Sequence, residues 1–530
     1  MFPSFKMPWR FIGFCLVAGR LLTVEVKAAI QLEIGINFTG SSLFADSWVV
    51  PPDSNGAIGP GYFVEFINGR FSVYDKLTGI RVQTMSDATF WTQAGVNLAG
   101  LDLSDTRIIF DPLSRRWFAS QIDINRANLT NNRFLLAIST SQDPGGSWKA
   151  VAWQADPGGS FADFPRLGVD ANGVYLTGNQ FDAKENFAGV LITSIPKADL
   201  LLDTPTAANR TCSGLLASPD YGFSLEPALN FNATNGSESV LAVESDGTDF
   251  QYHSNLRLFT VNDAGTSTAS LSSIYNVAVP PYFVPFNPAQ PDGLVTLDDG
   301  DLRIGSYVAQ IGDDLYAVHG VEEYPRAAIR WYRIGASDHL LREAGTISDP
   351  NLDLFYPSLA VNTNGFIVIG FNGCSTNTFV SAYAAAGRTI NGTTRFSDKV
   401  LLQAGADNYE LSAGGDVRWG DYSTTTVDAD NPGHFWTIQE YPSSANVWST
   451  AITEMIVTEI PPKLGLTVSG GVLQLSWPTN EIGYQLQATT NLAAPAAAWT
   501  LVSNALETVS DQYVVPVTNT AAHQFFRLIR

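Results

Sequence analysis

Cysteine, histidine and charge are all scarce in this chain. Three cysteines in 530 residues, Cys15, Cys212 and Cys374, form no CxxC spacing, which argues against a zinc ribbon or a thiol-redox centre. His253, His319, His339, His434 and His523 are scattered, with no HxxxH pair to hold zinc. Charged residues are 15% of the chain, against roughly 25% in ordinary soluble domains. The shortage falls on cations: 30 Lys and Arg stand against 51 Asp and Glu, a formal net charge of -21. Phosphate backbones and anionic membrane surfaces are held by clustered basic side chains. Nucleic acid is therefore not an expected partner, and an acidic surface serves solubility. No long stretch carries helical periodicity. No apolar run approaches the ~20 residues of a membrane span.

What the chain does have is aromatic residues (12%), 45 Gly and 28 Pro, the composition of a turn-rich all-β protein. One unit recurs. Its clearest copy is Arg418-Trp419-Gly420-Asp421-Tyr422-Ser423-Thr424-Thr425-Thr426-Val427, followed by the turn Asp428-Ala429-Asp430-Asn431-Pro432-Gly433 and the strand His434-Phe435-Trp436-Thr437-Ile438. Asp430-Asn431-Pro432-Gly433 cannot continue a strand, because Pro lacks an N–H and Asn and Gly favour turns, so the unit is a hairpin. Phe164–Leu176 and Tyr356–Ile369 repeat the order, and looser copies start at Asp53, Asp105, Glu226 and Asp301. About seven copies at this spacing predict a β-propeller, since one such unit cannot bury both faces alone. The expected fold is all-β with seven blades, or six.

The chain divides into three. Residues 1–28 read as a signal peptide, with Lys6 and Arg10 before Phe11-Ile12-Gly13-Phe14-Cys15-Leu16-Val17-Ala18-Gly19, and Val26-Lys27-Ala28 as a cleavage pattern. A secreted or cell-surface protein is expected after cleavage. Cys212 and Cys374 then either pair or remain as buried thiols. Residues 29–460 form the propeller, with residues 29–50 available as a closing strand and residues 272–299 as an irregular insertion. Pro461-Pro462-Lys463 marks a boundary, and short alternating strands over residues 461–530 predict a small β-sandwich.

Ser141-x-Asp143-x-Gly145-x-Ser147-Trp148 resembles the Asp-box of sialidase-like propellers. In that family the Asp caps a hairpin turn, the Trp packs between blades, and the box is structural. The opening Pro51-Pro52-Asp53-x-Asn55-Gly56-Ala57 and the closing Arg418-Trp419-Gly420-Asp421-Tyr422-Ser423 resemble those of secreted bacterial propellers of this type, over residues 45–460. The resemblance implies a fold and an extracellular setting but no particular activity. The C-terminal Leu473-x-x-Ser476-Trp477 strand and Phe525-Phe526-Arg527-Leu528 end resemble fibronectin type III-like modules.

Aligning the repeats brings one set of positions together. Asp53, Asp105 with Arg107, Asp163 with Arg166, Glu226, Asp301 with Arg303, Tyr356, Arg418, and Asp421 with Tyr422 precede the inner strands and are expected to ring one mouth of the channel. Carboxylates there supply acid and base for glycoside chemistry, and Arg binds carboxylate or sulfate. Asp421, Tyr422 and Glu440 are the expected catalytic group. Asp53, Arg107, Asp163, Arg166, Glu226, Arg303, Tyr356 and Arg418 are the expected substrate-binding group. Sialidases combine a Tyr nucleophile with a Glu, an Asp acid and an Arg cluster. This chain offers all four residue types but lacks the Arg-Ile-Pro opening of that family. Two readings stand: a glycoside hydrolase or polysaccharide lyase, and a non-catalytic propeller that binds glycan or protein. The expected partner is an extracellular polysaccharide or glycan, and the chain is expected to be a monomer. No cofactor is expected, with Ca²⁺ the ion that an acid cluster or the Asp428–Gly433 turn could take. An alternating Asp and Arg ring is also a structural ion-pair network.

Overall fold

The computed structural model describes residues 30–529 apart from 234–235, 246–249, 292–294, 391, 414–415, 461, 470–471, 480–482, 493–498 and 518–523. The expected signal peptide lies outside the described residues. The rest is an all-β, propeller-like fold. Between Ile30 and Glu459 there are seven antiparallel sheets of four or five strands, each following the last in the chain. Their first strands are Gly56–Ile58, Asp102–Asp111, Phe161–Val169, Phe223–Pro227, Ala309–Ile311, Asp353–Val361 and Thr424–Val427. Seven apolar clusters lie one to each junction between neighbouring sheets, including the junction of the seventh with the first. The ring is closed by strand pairing out of sequence order. Ile30–Ser42 pairs antiparallel with Val447–Glu459 and so becomes the outermost strand of the seventh sheet.

The recurring turn does one job throughout. Asp170 Oδ1 accepts the backbone N–H groups of Asn172 (2.7 Å) and Gly173 (2.6 Å). Asn362 Oδ1 takes those of Asn364 and Phe366, both at 3.0 Å. Asp111 and Asp428 cap their own turns in the same way. A short side chain that bonds its own backbone two residues on is what makes Asp and Asn turn residues. Two of the three aspartates are matched by cations of neighbouring sheets: Lys197 holds Asp111 at 2.8 Å, and Lys76 holds the buried Asp428. Arg115 pairs with Asp430 at 2.8 Å. The Asp428–Gly433 turn is thus neutralised by Lys76 and Arg115, and its geometry calls for no Ca²⁺.

The Ser141–Trp148 turn joins the third and fourth strands of the second sheet. Asp143 Oδ1 accepts from Gly145 N at 2.9 Å, and Trp148 Nε1 donates to Pro144 O at 2.9 Å. The Trp148 ring meets Phe71 and Phe90 of the preceding sheet and its helix edge-on, at 5.8 and 5.1 Å. Cys374 is buried, Cys212 is half-buried, and both are free thiols. Residues 465–529 form a four-stranded and a three-stranded sheet around Leu475, Trp477, Leu486, Val515 and Val517. Among the described residues no helix is long and apolar enough to cross a membrane.

Candidate functional site

All seven first strands run the same way along a central channel, so their starts meet at one mouth. A bulge marks most of these starts. The pairing register breaks between Ser104 and Arg107, Asp163 and Arg166, Phe223 and Glu226, and Phe355 and Ser358. Within the breaks Asp105, Phe164, Ser224 and Tyr356 have φ of 62°, 50°, 56° and 45°, and Asp53 at the first sheet has 51°. Left-handed backbone at non-glycine residues is strained and persists only where the surroundings hold it. Here side chains hold it across sheets. Asp421 N donates to Asp53 Oδ1 (3.0 Å), and Asn68 Nδ2 donates to Asp53 Oδ2 (2.8 Å). Asp105 N donates to Asn68 Oδ1 (2.8 Å), and Phe164 N donates to Asp105 Oδ2 (2.9 Å). This line of bonds stitches the seventh, first, second and third sheets together.

The mouth is an acid cluster with two paired arginines. Asp53, Asp105 and Asp421 each bring a carboxylate oxygen within 4.8 Å of the other two. Arg418 bonds Asp421 at 2.5 Å and lies 3.4 Å from Asp298, while Arg303 bonds Asp301 at 2.8 Å. Asp163 has no hydrogen-bonded cation. Burial, then the charges of Asp105 and Asp421, push its carboxyl up to about 7, opposed by Arg303. Burial and Asp421 also raise Asp105, and burial, Asp421 and Asp105 raise Asp53 well above the ordinary carboxylate range. Three oxygens at this spacing are the start of a cation site. However, both oxygens of Asp53 and both of Asp105 already accept hydrogen bonds, and Asp421 has Arg418. These oxygens are already engaged within the protein.

Below the mouth the channel is plugged. Arg107 lies 3.2 Å over the Tyr422 ring and donates through Nε to Pro165 O at 3.0 Å. Tyr422 Oη donates to Thr106 O at 2.9 Å, and Tyr307 Oη donates to Ile108 O at 3.3 Å. Arg166 and Glu226 form a fully buried ion pair. Beyond Tyr307 the far end opens into an apolar cavity of about 430 Å³, lined by Ile58, Ile109, Leu229, Val361 and Val427 among others.

The placement corrects part of the sequence expectation. Asp421, Asp163, Arg303 and Arg418 are half-buried at the mouth, with Asp53 buried directly beneath. Arg107, Arg166, Glu226 and Tyr422 do not ring it; they fill the channel behind it. The reason is the bulge: a residue two positions past the left-handed one points the same way but sits a full strand step deeper. Glu440 lies in the second strand of the seventh sheet, buried beside Gly420, and burial plus the charge of Asp53 raise its carboxyl well above the ordinary range. Tyr356 is buried, with Oη donating to Asp298 O at 3.3 Å. Sequence reasoning missed Asn68, and Asp298, which the acid run Asp298-Asp299-Gly300-Asp301 signals.

No family model and no curated protein matches the chain. Solved structures of similar strand arrangement include a protein of unknown function from Dyadobacter fermentans, with 12% identity and a TM-score of 0.37 over 68% of this chain and 95% of that one. Polysaccharide lyase Uly1 aligns at 11% identity and a TM-score of 0.39, over 77% of this chain and 90% of that one. The extracellular domains 1-2 of Drosophila Semaphorin 1b align at 9% and 0.39, over 81% and 88%. At these values none of them bears on activity.

Proposed function

We propose that this chain is a secreted, glycan-active protein that cleaves its substrate at the acidic mouth. The seven sheets are read as seven blades of one sialidase-like propeller, and residues 461–530 as a fibronectin type III-like sandwich. Residues 1–28 are read as a removed export signal. The observation that carries the activity is Asp163. It keeps its proton near neutrality and lies in the field of Asp421, a carboxylate fixed by Arg418. Glycoside cleavage needs two carboxyls in different surroundings: one protonates the leaving oxygen, and the other activates water or attacks. Asp163 is the acid in this reading and Asp421 the base or nucleophile. Tyr422 and Glu440 support them from below.

Incubation of the mature chain with a range of polysaccharides, scored by new reducing ends, tests the reading. Wild type releases product, while folded Asp163→Asn and Asp421→Asn variants release little. Equal product from all three removes the assignment. A second reading is favoured by one specific feature. Arg303 and Arg418 are each already bonded to an aspartate, as in a structural ion-pair ring, which suits a non-catalytic glycan binder. Retention of a polysaccharide by wild type without cleavage supports that alternative.

A further inference from the structure

Exposed aromatic side chains gather on the mouth face of the ring. Among the described residues 30–459, six of the seven exposed aromatic side chains lie on the mouth face: Phe44, Trp48, Phe250, Tyr252, Phe286 and Tyr324. The seventh, Tyr275, lies on an outer strand, stacked on His339. The turns of the opposite face expose aliphatic residues instead, including Leu77, Leu113, Leu202 and Leu340. Single exposed apolar residues are ordinary, whereas sizeable exposed patches mark interaction surfaces.

Five of these six rings stand in two groups. Phe44 and Trp48 sit where the seventh sheet meets the first. Tyr252, Phe286 and Tyr324 sit on the loops of the fourth and fifth. In a ring of seven these positions are almost opposite one another, with the acid cluster between them. Each ring is steadied by an aromatic neighbour: Phe44 with Trp48 at 5.1 Å, Tyr252 with Phe283 at 4.9 Å, and Phe286 with Tyr324 at 6.4 Å. Trp48 is still 77% exposed and Tyr324 83%. The Trp48 loop is tightly built. Phe44 is left-handed (φ 67°) and donates its N–H to Ser47 O at 2.7 Å. Ser47 Oγ donates to the carbonyl of Asn68, whose side chain holds Asp53. The loop and the acid cluster thus share one residue.

We infer that the mouth face binds an extended, uncharged polysaccharide, with Trp48 at one end and Tyr252 and Tyr324 at the other as stacking platforms for its sugar rings. Rigid amphipathic rings offer a flat apolar face at small entropic cost. Charge selects against anionic polymers. Asp53, Asp105 and Asp163 have no hydrogen-bonded cation, and both arginines of the mouth are already held by aspartates. Among the described residues of the mouth, a uronate or sulfate would therefore find no unpaired arginine to hold it. This inference rests on the glycan reading proposed above and names its substrate class.

Affinity electrophoresis of the mature chain in gels cast with xyloglucan, galactan or β-glucan, and with polygalacturonate or alginate, provides the test. Wild type is retarded by at least one neutral polymer and by neither anionic one. Trp48→Ala, and Tyr252→Ala with Tyr324→Ala, each weaken that retardation by about two- to tenfold per ring removed. Leu77→Ala and Leu340→Ala on the opposite face leave it unchanged. Retardation by anionic polymers alone, or none by any polymer, overturns the inference, as does retardation that survives loss of all three rings. A change confined to self-association, seen by sedimentation, overturns it in favour of a second copy as occupant. The two readings separate cleanly. Ring-dependent binding without cleavage keeps this inference and removes catalysis, while cleavage indifferent to the rings does the reverse.

Discussion

Replacing Asp163 by asparagine removes one ionisable carboxyl from the mouth and changes almost nothing in its shape. In the native chain desolvation of this carboxyl, helped by the charges of Asp105 and Asp421, pushes it up from 3.8 to about 7. Between those values the folded state keeps a proton that the unfolded chain has already released, so stability falls as the pH rises. At ~1.4 kcal/mol per pH unit the fall integrates to about 4 kcal/mol by neutrality. Asp105 and Asp421 share the field, so the loss belongs to the cluster and one substitution recovers part of it, about 2 kcal/mol. The diagnostic quantity is the difference between variant and wild type, because carboxyls elsewhere titrate equally in both. Thermal unfolding of the two proteins from pH 4 to pH 8 should give coincident midpoints near pH 4. The variant should pull ahead through pH 5 and 6 and hold a constant lead above about 7.5. A lead that is the same at every pH would refute the argument, and so would a variant less stable than wild type at pH 7.5.

Three further outcomes are expected. Glu226→Ala leaves the Arg166 guanidinium buried without its carboxylate and should cost about 3–5 kcal/mol, read as a lowered unfolding midpoint; a loss under 1 kcal/mol would mean that water replaces the pair. Arg107→Lys removes the planar cap on Tyr422 and the bond to Pro165 O and should cost about 1–3 kcal/mol, while glycan affinity measured on the folded variant stays unchanged, because Arg107 lies beneath the site. Chelation with EDTA should leave the midpoint unmoved, since the acid cluster is held by hydrogen bonds and protons; a rise of several degrees with added Ca²⁺ would show that Asp53, Asp105 and Asp421 hold an ion after all.

Much of the fold was legible because its signals are local. The turn that ends each inner strand needs a short acceptor and a residue tolerant of left-handed backbone, so Asp170-Ala171-Asn172-Gly173 and Asn362-Thr363-Asn364-Gly365 announce themselves. The N-terminal stretch was recognisably extended, and it serves as the outermost strand of the seventh sheet. Depth along the channel left no such mark. Asp105 and Arg107 are two residues apart and look equivalent in an alternating strand. The bulge between Ser104 and Arg107 sends one to the acid layer and the other under Tyr422. Bulges follow from how neighbouring strands pair, which is non-local information.

The same distinction separates what the repeats do from what the irregular loops do. The repeated positions satisfy one another. Asp53, Asn68 and Asp105 spend their hydrogen bonds on the backbone of the next sheet, and Arg166 and Glu226 neutralise each other inside the plug. They account for closure of the ring, and most of them have little left to offer a ligand. The groups that remain available are the ones the closure leaves over. Asp163 lacks a hydrogen-bonded cation, and Trp48, Tyr252 and Tyr324 stand on connections outside the repeated inner-strand motif. A sequence read through its periodicity therefore finds the scaffold first and misplaces the site, since a side chain free to meet substrate is one that the repeat does not require.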